Sequence, residues 1–562
     1  ANGLTRSMLS AFAVSTPIGV VPAPHHDYGD ALRKSLLFLR AQRSGNLGPD
    51  NPIPWRTAPS FLDDGADVGV DLSGGYFDAG DYVKYGQPAA FTLSVLAWGA
   101  LEFEAGFRAA GALDELKAAV RWGTDYILQA ASRLDRRCTY FAQVGRGAAR
   151  CGKPSCKYDH GYWGRAEDYG AYEFARLRKT YTIDADTPGT EVWASASAAL
   201  ASAHQLLRAD DPAYAAELLR VSAALFECAT AHNPLNLRLH ETLTEVSPQY
   251  ESNGFSDELG WAAAWLYDAT RDGRYVDAFK VGMVRGENRW WYEGYAASWD
   301  DVNPLAKLKL LSAYPQHPDA AHLKDSLLDY IRKWRTCSGD TRRATACGFC
   351  YLQKWASLRY SLTSSLVAAV YAAHYPADLS DAPAADAWAS SQLHYLLGDN
   401  PQMRSYMIGY AGADRSFNFP RRPHHRGASC VPASEGPCAD DALCNACDSP
   451  WVLHGAVVGG PDDSDCWNDD RTNWERNEVA LDYSAPLPGL LAWVLSSSPP
   501  SAEQSSSQVA ATLHFRQAAG SCVAVPHGAP FSSICPSGIP SKANPACPYT
   551  RSPCIPEPPS PP

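Results

Sequence analysis

No apolar run in this 562-residue chain reaches the ~18 residues that a membrane-spanning helix needs. The chain also lacks a long basic run and any nucleic-acid motif. With a net charge of -12 and 20% charged residues, a polyanionic partner is disfavoured. No repeat links its helical segments, which argues against a repeat solenoid. The chain as given opens on Ala1, and residues 7–22 are moderately apolar without the charged flank and apolar core of the usual signal peptide. The expectation is that a signal has been removed or that the N-terminus is incomplete. Length alone would suggest three or four domains, but single large catalytic domains are common enough to override that prior.

Aromatic residues and cysteines are plentiful. Aromatics make up 11% of the chain, with 17 Trp and 28 Tyr. Some fill the core. Others suit a carbohydrate cleft, because sugar rings present apolar C–H faces that stack on flat side chains while their hydroxyls seek polar partners. The 16 Cys fall in local clusters: Cys138, Cys151 and Cys156; Cys337, Cys347 and Cys350; Cys430, Cys438, Cys444, Cys447 and Cys466; then Cys522, Cys535, Cys547 and Cys554. An even count at short spacing predicts disulfide-stapled loops and an oxidising, extracellular compartment. Zinc is the competing reading, since Cys347-Gly348-Phe349-Cys350 and Cys444-Asn445-Ala446-Cys447 are both C-x-x-C. Neither is followed by a second well-spaced pair in a compact ribbon. The pairing itself cannot be read from spacing.

Apolar residues at three- and four-residue intervals predict about twelve helices, near 29–42, 89–109, 113–131, 191–207, 212–230, 256–270, 274–285, 302–313, 319–334, 357–373, 384–397 and 485–496. Strand signals are short, for example near 139–144 and within 510–517. Long connections at 43–88, 136–190 and 398–480 carry the chemically interesting residues, as long loops inside compact domains usually do. The organisation expected is an N-terminal extension over 1–26, a catalytic domain over 27–496, and a Ser-, Pro- and Cys-rich linker or tail over 497–562.

Three loop clusters stand out. In Gly74-Gly75-Tyr76-Phe77-Asp78-Ala79-Gly80-Asp81, small residues separate two carboxyls that could hold one water molecule. The alternative is that Asp81 caps a helix and Asp78 sits in a turn. In Asp469-Asp470-Arg471-Thr472-Asn473-Trp474-Glu475-Arg476-Asn477-Glu478, the last acid precedes Val479-Ala480-Leu481. Apolar neighbours strip hydration from such an acid and keep it protonated. The alternative is a surface helix with an ordinary Glu475–Arg471 ion pair. Pro423-His424-His425-Arg426 suits hydrogen bonding to a polar substrate and lacks zincin spacing; a plain basic loop is the alternative. A glycosidic bond is broken by two opposed carboxyl groups, one protonating the leaving oxygen and the other activating water or attacking the sugar.

Taken in order, these stretches resemble glycoside hydrolase family 9, the inverting β-1,4-glucanases often called cellulases. The likeness covers roughly residues 27–494. It includes Asp27-Tyr28-Gly29-Asp30-Ala31-Leu32, Ala41-Gln42-Arg43-Ser44-Gly45, Val68-Gly69-Val70-Asp71-Leu72, Leu396-Leu397-Gly398-Asp399-Asn400-Pro401 and Asn477-Glu478-Val479-Ala480-Leu481-Asp482-Tyr483. The resemblance implies an all-α (α/α)6 barrel with long loops forming an open cleft. It implies Asp81 as general base, Asp78 as its partner in holding the water, Glu478 as general acid and Asp469 as support for Glu478. His424, Arg426, His160, Trp163, Trp355, Tyr360, Tyr483 and Tyr295 would meet the substrate. It further implies no cofactor for catalysis but a structural calcium at Asn253, Gly254, Asp257, Glu258 and Asp300. These residues offer the hard oxygens that Ca2+ takes, six to eight at a time. The alternative is that Asp257 and Glu258 cap a helix.

The resemblance therefore predicts a secreted, monomeric endo-β-1,4-glucanase acting on cellulose or a related β-glucan, with no nucleic-acid or membrane partner. The alternatives are hydrolysis of xyloglucan, mixed-linkage glucan or xylan, exo-action, and a non-catalytic wall protein that only binds polysaccharide. Several positions depart from the family pattern. Tyr295 stands where Trp is common, Gln249 and Ser252 where aromatics are common, and Ser484 where Asn is. Residues 411–417 and 431–450 look like insertions at the cleft rim.

Overall fold

The computed structural model describes residues 26–147, 159–231, 237–243, 245–246, 248–285, 296–339, 341–376, 382–438, 441–444 and 447–497. The expected N-terminal extension except His26, the short strand within 510–517 and all of the tail except Ser497, which ends the last helix, lie outside them.

Among the described residues, twelve helices of at least eleven residues follow one another: α1 (Tyr28–Gln42), α2 (Gly86–Glu102), α3 (Leu113–Ala130), α4 (Thr190–Leu207), α5 (Pro212–Ala231), α6 (Ser256–Thr270), α7 (Gly273–Arg285), α8 (Asn303–Ala313), α9 (Ala320–Arg335), α10 (Ser357–His374), α11 (Ala382–Leu397) and α12 (Pro486–Ser497). The predicted segment 89–109 breaks at Phe103, where a separate six-residue helix Glu104–Ala109 begins.

Even- and odd-numbered helices differ in kind. In α4 every residue except His204 is buried. A helix apolar on all sides needs neighbours on all sides. In α9 burial is confined to Leu323, Leu327, Tyr330, Ile331 and Trp334, a single stripe at three- and four-residue spacing. The packing follows from this. The even helices close a ring, α2 on α4, α4 on α6, α6 on α8, α8 on α10, α10 on α12 and α12 back on α2. The odd helices sheathe it: α3 packs on α2 and α4, α5 on α4 and α6, α7 on α6, α9 on α8 and α10, α11 on α10 and α12, and α1 on α12. The expected (α/α)6 barrel is thus the observed fold. Gly99 of α2 lets the ring close tightly, because a Cβ there would lie 2.9 Å from Gly489 Cα of α12.

The alternation also sets direction. Asp78 and Asp81 precede α2, Tyr250 and Asn253 precede α6, Asp300 precedes α8, Trp355 precedes α10, and Glu478 and Tyr483 precede α12. The segments carrying the chemistry therefore all lead into inner-helix N-termini. A small antiparallel sheet completes the rim in the order β1 (Lys84–Tyr85), β2 (Tyr140–Val144), β3 (Thr180–Ile183), with Lys84 opposite Val144 and Val144 opposite Thr180. It holds the turn with Asp81 beside the long β2–β3 excursion that carries His160. Disulfides join Cys138 to Cys228, Cys337 to Cys350 and Cys430 to Cys438. Cys347, Cys447 and Cys466 are also disulfide-bonded, so the cysteines described from both C-x-x-C stretches serve as staples.

Candidate active site

The first carboxylate cluster forms a bent loop between α1 and β1, with no helical turn. Asp81 does not cap α2, whose N-cap is Tyr85 with no side-chain bond. The second cluster reaches the same place through a one-turn helix, Trp474–Asn477, whose C-cap Glu478 is extended. His424 and Glu478 pair as parallel neighbours, with His424 N donating to Asn477 O at 2.9 Å, and Gly459 N donates to Glu478 O at 3.0 Å. The two clusters then touch directly. Arg426 N donates to Gly80 O at 3.0 Å, Leu481 N donates to Asp78 O at 2.8 Å, and a Cβ on Gly80 would sit 2.1 Å from His424 O. Only glycine fits there.

Each carboxyl has its own surroundings. Asp81 Oδ2 accepts from His160 Nδ1 at 2.6 Å and Oδ1 accepts from Val83 N at 3.2 Å. Burial pushes this carboxyl up, but the His160 hydrogen bond and the His160 and Arg426 charges outweigh it and hold it below the usual carboxylate range. Glu478 has no such support. Burial pushes it up to about 8, with Arg426 pulling the other way and Asp81 adding to the rise. Asp78 is raised well above its ordinary value by burial, then by the charge of Asp482. Its Oδ2 accepts from Tyr250 Oη at 2.6 Å, and its Oδ1 is buried without a partner.

The polar wall is fixed from behind. His424 Nδ1 donates to Arg471 O at 2.8 Å, and burial holds the ring well below its ordinary pKa, so it is neutral. His425 is committed to structure: Nε2 donates to Gln42 Oε1 at 2.9 Å and Nδ1 accepts from Ala428 N at 3.0 Å. Arg426 Nη2 donates to His160 O at 2.6 Å, its guanidinium lies 4.7 Å over the Trp163 ring, and its buried Nη1 has no partner. His160, taken from sequence as a substrate contact, spends Nδ1 on Asp81. Trp163 is buried, donating to Ser429 Oγ at 2.9 Å.

The opposite wall presents Trp355, 37% exposed, whose Nε1 donates to Tyr483 Oη at 3.0 Å. Tyr483 and Tyr360 are themselves buried, and Tyr360 Oη accepts from Arg359 Nη2 at 2.6 Å. They prop the wall that Trp355 forms. Tyr295 lies outside the described residues.

Asp469 is tied to the loop before His424. Its two oxygens accept from Arg421 N (2.7 Å) and Arg422 N (2.9 Å), so it clamps the loop that leads to His424. Glu475 pairs with Lys354 at 2.5 Å rather than with Arg471, whose guanidinium donates to Ala442 O at 2.6 Å and Ser449 Oγ at 2.9 Å. Four functional residues escaped the sequence reading. Tyr250 lay between two positions noted only as lacking aromatics. Asp482 and its partner Arg359, 2.9 Å apart, carried no local signal. Trp474, 46% exposed and one turn before Glu478, was read only as a neighbour of the acid.

The expected metal residues gather at the N-terminus of α6, whose N-cap Phe255 makes no side-chain bond. Asn253 N and Nδ2 donate to the two Asp300 oxygens at 2.7 and 2.5 Å, Asp257 Oδ2 accepts from Val302 N at 2.9 Å, and Gly254 O accepts from Ser252 Oγ at 2.7 Å. Glu258 Oε1 accepts from Gln87 Nε2 at 3.0 Å while Oε2 is buried without a partner. Burial raises all four acids here, Asp257 to about 6 and Asp301 to about 7, with Asp300 and Glu258 also up, and repulsion between carboxyls adds to the rise in Asp257, Asp301 and Glu258. Crowded hard oxygens with an orphaned buried carboxylate oxygen fit Ca2+ in kind. Among the described residues, however, no group of three or more His, Cys, Asp or Glu side chains converges as a ready-made metal site.

The family model described as "Glycosyl hydrolase family 9" matches residues 28–491. "Endoglucanase B" of Cellulomonas fimi is 36% identical over 500 residues, which cover 86% of this chain and 44% of that protein, so the chain spans less than half of that relative's length. An endoglucanase of the termite Nasutitermes takasagoensis is 36% identical with a TM-score of 0.72, over 84% of this chain and 99% of that one. A cellulase of C. cellulolyticum, solved in complex with cellobiose, is 31% identical with a TM-score of 0.71, again over 84% and 99%.

The contact at Gly80 makes a direct prediction. Gly80→Ala places a methyl against backbone, which cannot yield cheaply. A fall in melting temperature by calorimetry, together with loss of hydrolysis, is expected; an unchanged melting temperature would show that the two loops have slack.

Proposed function

The chain belongs to glycosyl hydrolase family 9, and from that membership and its two unequal carboxyls we infer that it cleaves internal β-1,4-glucosidic links of cellulose and related β-glucans with inversion at the anomeric carbon. What supports the mechanism is the unequal surroundings of Asp81 and Glu478: one carboxyl accepts from His160 and is favoured as the ion by it and by Arg426, while burial favours the protonated form of the other. Glu478 delivers its proton to the glycosidic oxygen. Asp81 takes a proton from water, which attacks the anomeric carbon from the other face. Asp78, tied to Tyr250, orients that water. Neutral His424 and the unpartnered Arg426 Nη1 are the polar groups available to sugar hydroxyls. Trp355 and Trp474 offer flat faces for stacking. Asp469 acts one step away, through the loop it clamps.

Among the described residues no helix is long and apolar enough to cross a membrane. The disulfides support an oxidising, extracellular setting. We treat 27–496 as the catalytic domain and 497–562 as an appended segment. A structural Ca2+ would be held by oxygens of Asn253, Gly254, Asp257, Glu258 and Asp300, where it would offset crowded negative charge next to the segment carrying Tyr250.

Hydrolysis of reduced cello-oligosaccharides followed by NMR should release the α-anomer first; release of the β-anomer would reject inversion and require carboxyls ~5 Å apart instead of ~6.5–9.5 Å. Rapid loss of viscosity of carboxymethyl-cellulose with slow release of reducing ends is the endo signature.

Glu478→Gln should lower kcat by roughly 10²- to 10⁴-fold while glucan binding persists. In the wild type, kcat/KM needs Glu478 protonated and Asp81 ionised. Its alkaline limb should therefore fall near pH 8, where Glu478 loses its proton, and its acid limb below the usual range for an aspartate, where Asp81 gains one.

Chelation with EGTA should lower the melting temperature, and CaCl2 should restore it. Asp257→Asn should erase the difference, and an EGTA-insensitive melting temperature would remove calcium from the description.

A further inference from the structure

We propose that Arg178 is a positioning residue for the base, setting the approach of His160 to Asp81 from behind the site; this rests on the reading of Asp81 as base. Asp81 and His160 come from different parts of the rim, one from the turn before β1 and the other from the β2–β3 excursion. Arg178, two residues before β3, grips both. Its Nη2 donates to Tyr82 O at 3.0 Å, the carbonyl directly after Asp81. Its Nη1 donates to Asp159 Oδ1 at 3.1 Å, the residue directly before His160. One planar group thus brackets both ends of the 2.6 Å His160–Asp81 hydrogen bond.

The bracket is itself anchored. Arg178 Nε and Nη2 donate to the two Asp64 oxygens at 2.5 and 3.1 Å. Asp64 also pairs with Lys84 Nζ at 2.8 Å, and Lys84 donates to Leu72 O at 2.7 Å and Gly74 O at 2.8 Å. Asp159 Oδ2 accepts from Arg146 N at 2.7 Å, and its Oδ1 accepts from Tyr169 Oη. The guanidinium lies 4.4 Å over the Phe61 ring. All four charged side chains are at most 7% exposed.

Stability alone is a weak reason for such a cluster, since desolvating four charges costs about what their pairing returns. An apolar cluster of Phe61, Phe77, Tyr82, Tyr162 and Tyr169 already fills the space beside it. What the ions add is direction. A guanidinium offers five donors in a fixed fork and can address a carbonyl and two carboxylates at set angles; an ammonium is a point charge. The groups facing Asp81 itself are His160 and Arg426, which favour its ionised form, and the carboxyls of Asp78 and Glu478, which couple to it through charge. Arg178 works on the strongest of the favourable ones, through the backbone on either side.

The test compares wild type, Arg178→Lys and Tyr169→Phe on a soluble β-glucan. Arg178→Lys keeps the charge but loses the fork. Its kcat should fall roughly tenfold or more with KM nearly unchanged, as a small misplacement of reacting groups does. The acid limb of kcat/KM should move up by about half a pH unit or more as Asp81 loses its hydrogen bond, with the Glu478 limb in place. Tyr169→Phe, which removes one hydroxyl from Asp159, should move the same limb less and in the same direction. In parallel, the His160 Nδ1–H resonance should shift in both variants. An unmoved acid limb and resonance in a folded Arg178→Lys protein would overturn the proposal. An active Asp81→Asn protein would overturn the base assignment instead, and the resonance would then still report whether Arg178 holds His160.

Discussion

A backbone hydrogen bond from Arg426 to Gly80, with no room for a Cβ between the strands, joins segments from opposite ends of the chain. Everything chemical depends on it. It puts the loop bearing Asp81 edge to edge with the segment that runs through His424 to Glu478. It also brings the Arg426 guanidinium within electrostatic reach of both acids. The barrel makes the junction possible, because a closed ring returns α12 to α2 and so returns the last loop to the first.

Two carboxyls in one buried pocket would ordinarily compete for a single role. They diverge here because one has a hydrogen-bonded imidazole and the other has none. Asp81 is as thoroughly buried as Glu478, so burial alone would raise both. His160 reverses the outcome at one of them. The asymmetry between base and acid is thus a property of the β2–β3 excursion, whose placement the small sheet fixes.

The helices were legible in the sequence because each carries its own periodicity, and inner and outer positions differ in how much of the surface is apolar. Asp78, Asp81 and Glu478 were legible only in combination, since each stretch alone reads equally well as a turn or a surface helix. What stayed hidden shares one cause. Tyr250, Asp482 and Arg178 act through partners distant in the chain, and no local pattern marks them. Asp469 was read as support for the acid from the motif it shares with Glu478, and the loop it holds, through Arg421 N and Arg422 N, could not be read from that motif. Tyr360 and Tyr483 were read as cleft lining, and the pairing of their hydroxyls with Arg359 and Trp355 had no mark in the sequence.

The direction of the inner helices bears on how so much acid is tolerated in one mouth. Asp257 and Glu258 lie in the first turn of α6, Asp300 and Asp301 just before α8, and Asp78, Asp81, Glu478 and Asp482 in the segments that lead to α2 and α12. Each inner-helix N-terminus carries partial positive charge from its unpaired N–H groups. That field favours carboxylates but falls off within a turn, so it cannot hold all of them ionised. Burial first, and repulsion between carboxyls after it, raise Asp78, Glu478 and Glu258. Side-chain cations near the cleft are few and specific, Arg426 beside the base and Arg359 at Asp482. At Asp81 the imidazole and the guanidinium outweigh burial and the carboxyl ionises, whereas at Asp482 burial outweighs Arg359. Where burial dominates, the acid keeps its proton, which is the form a leaving oxygen requires.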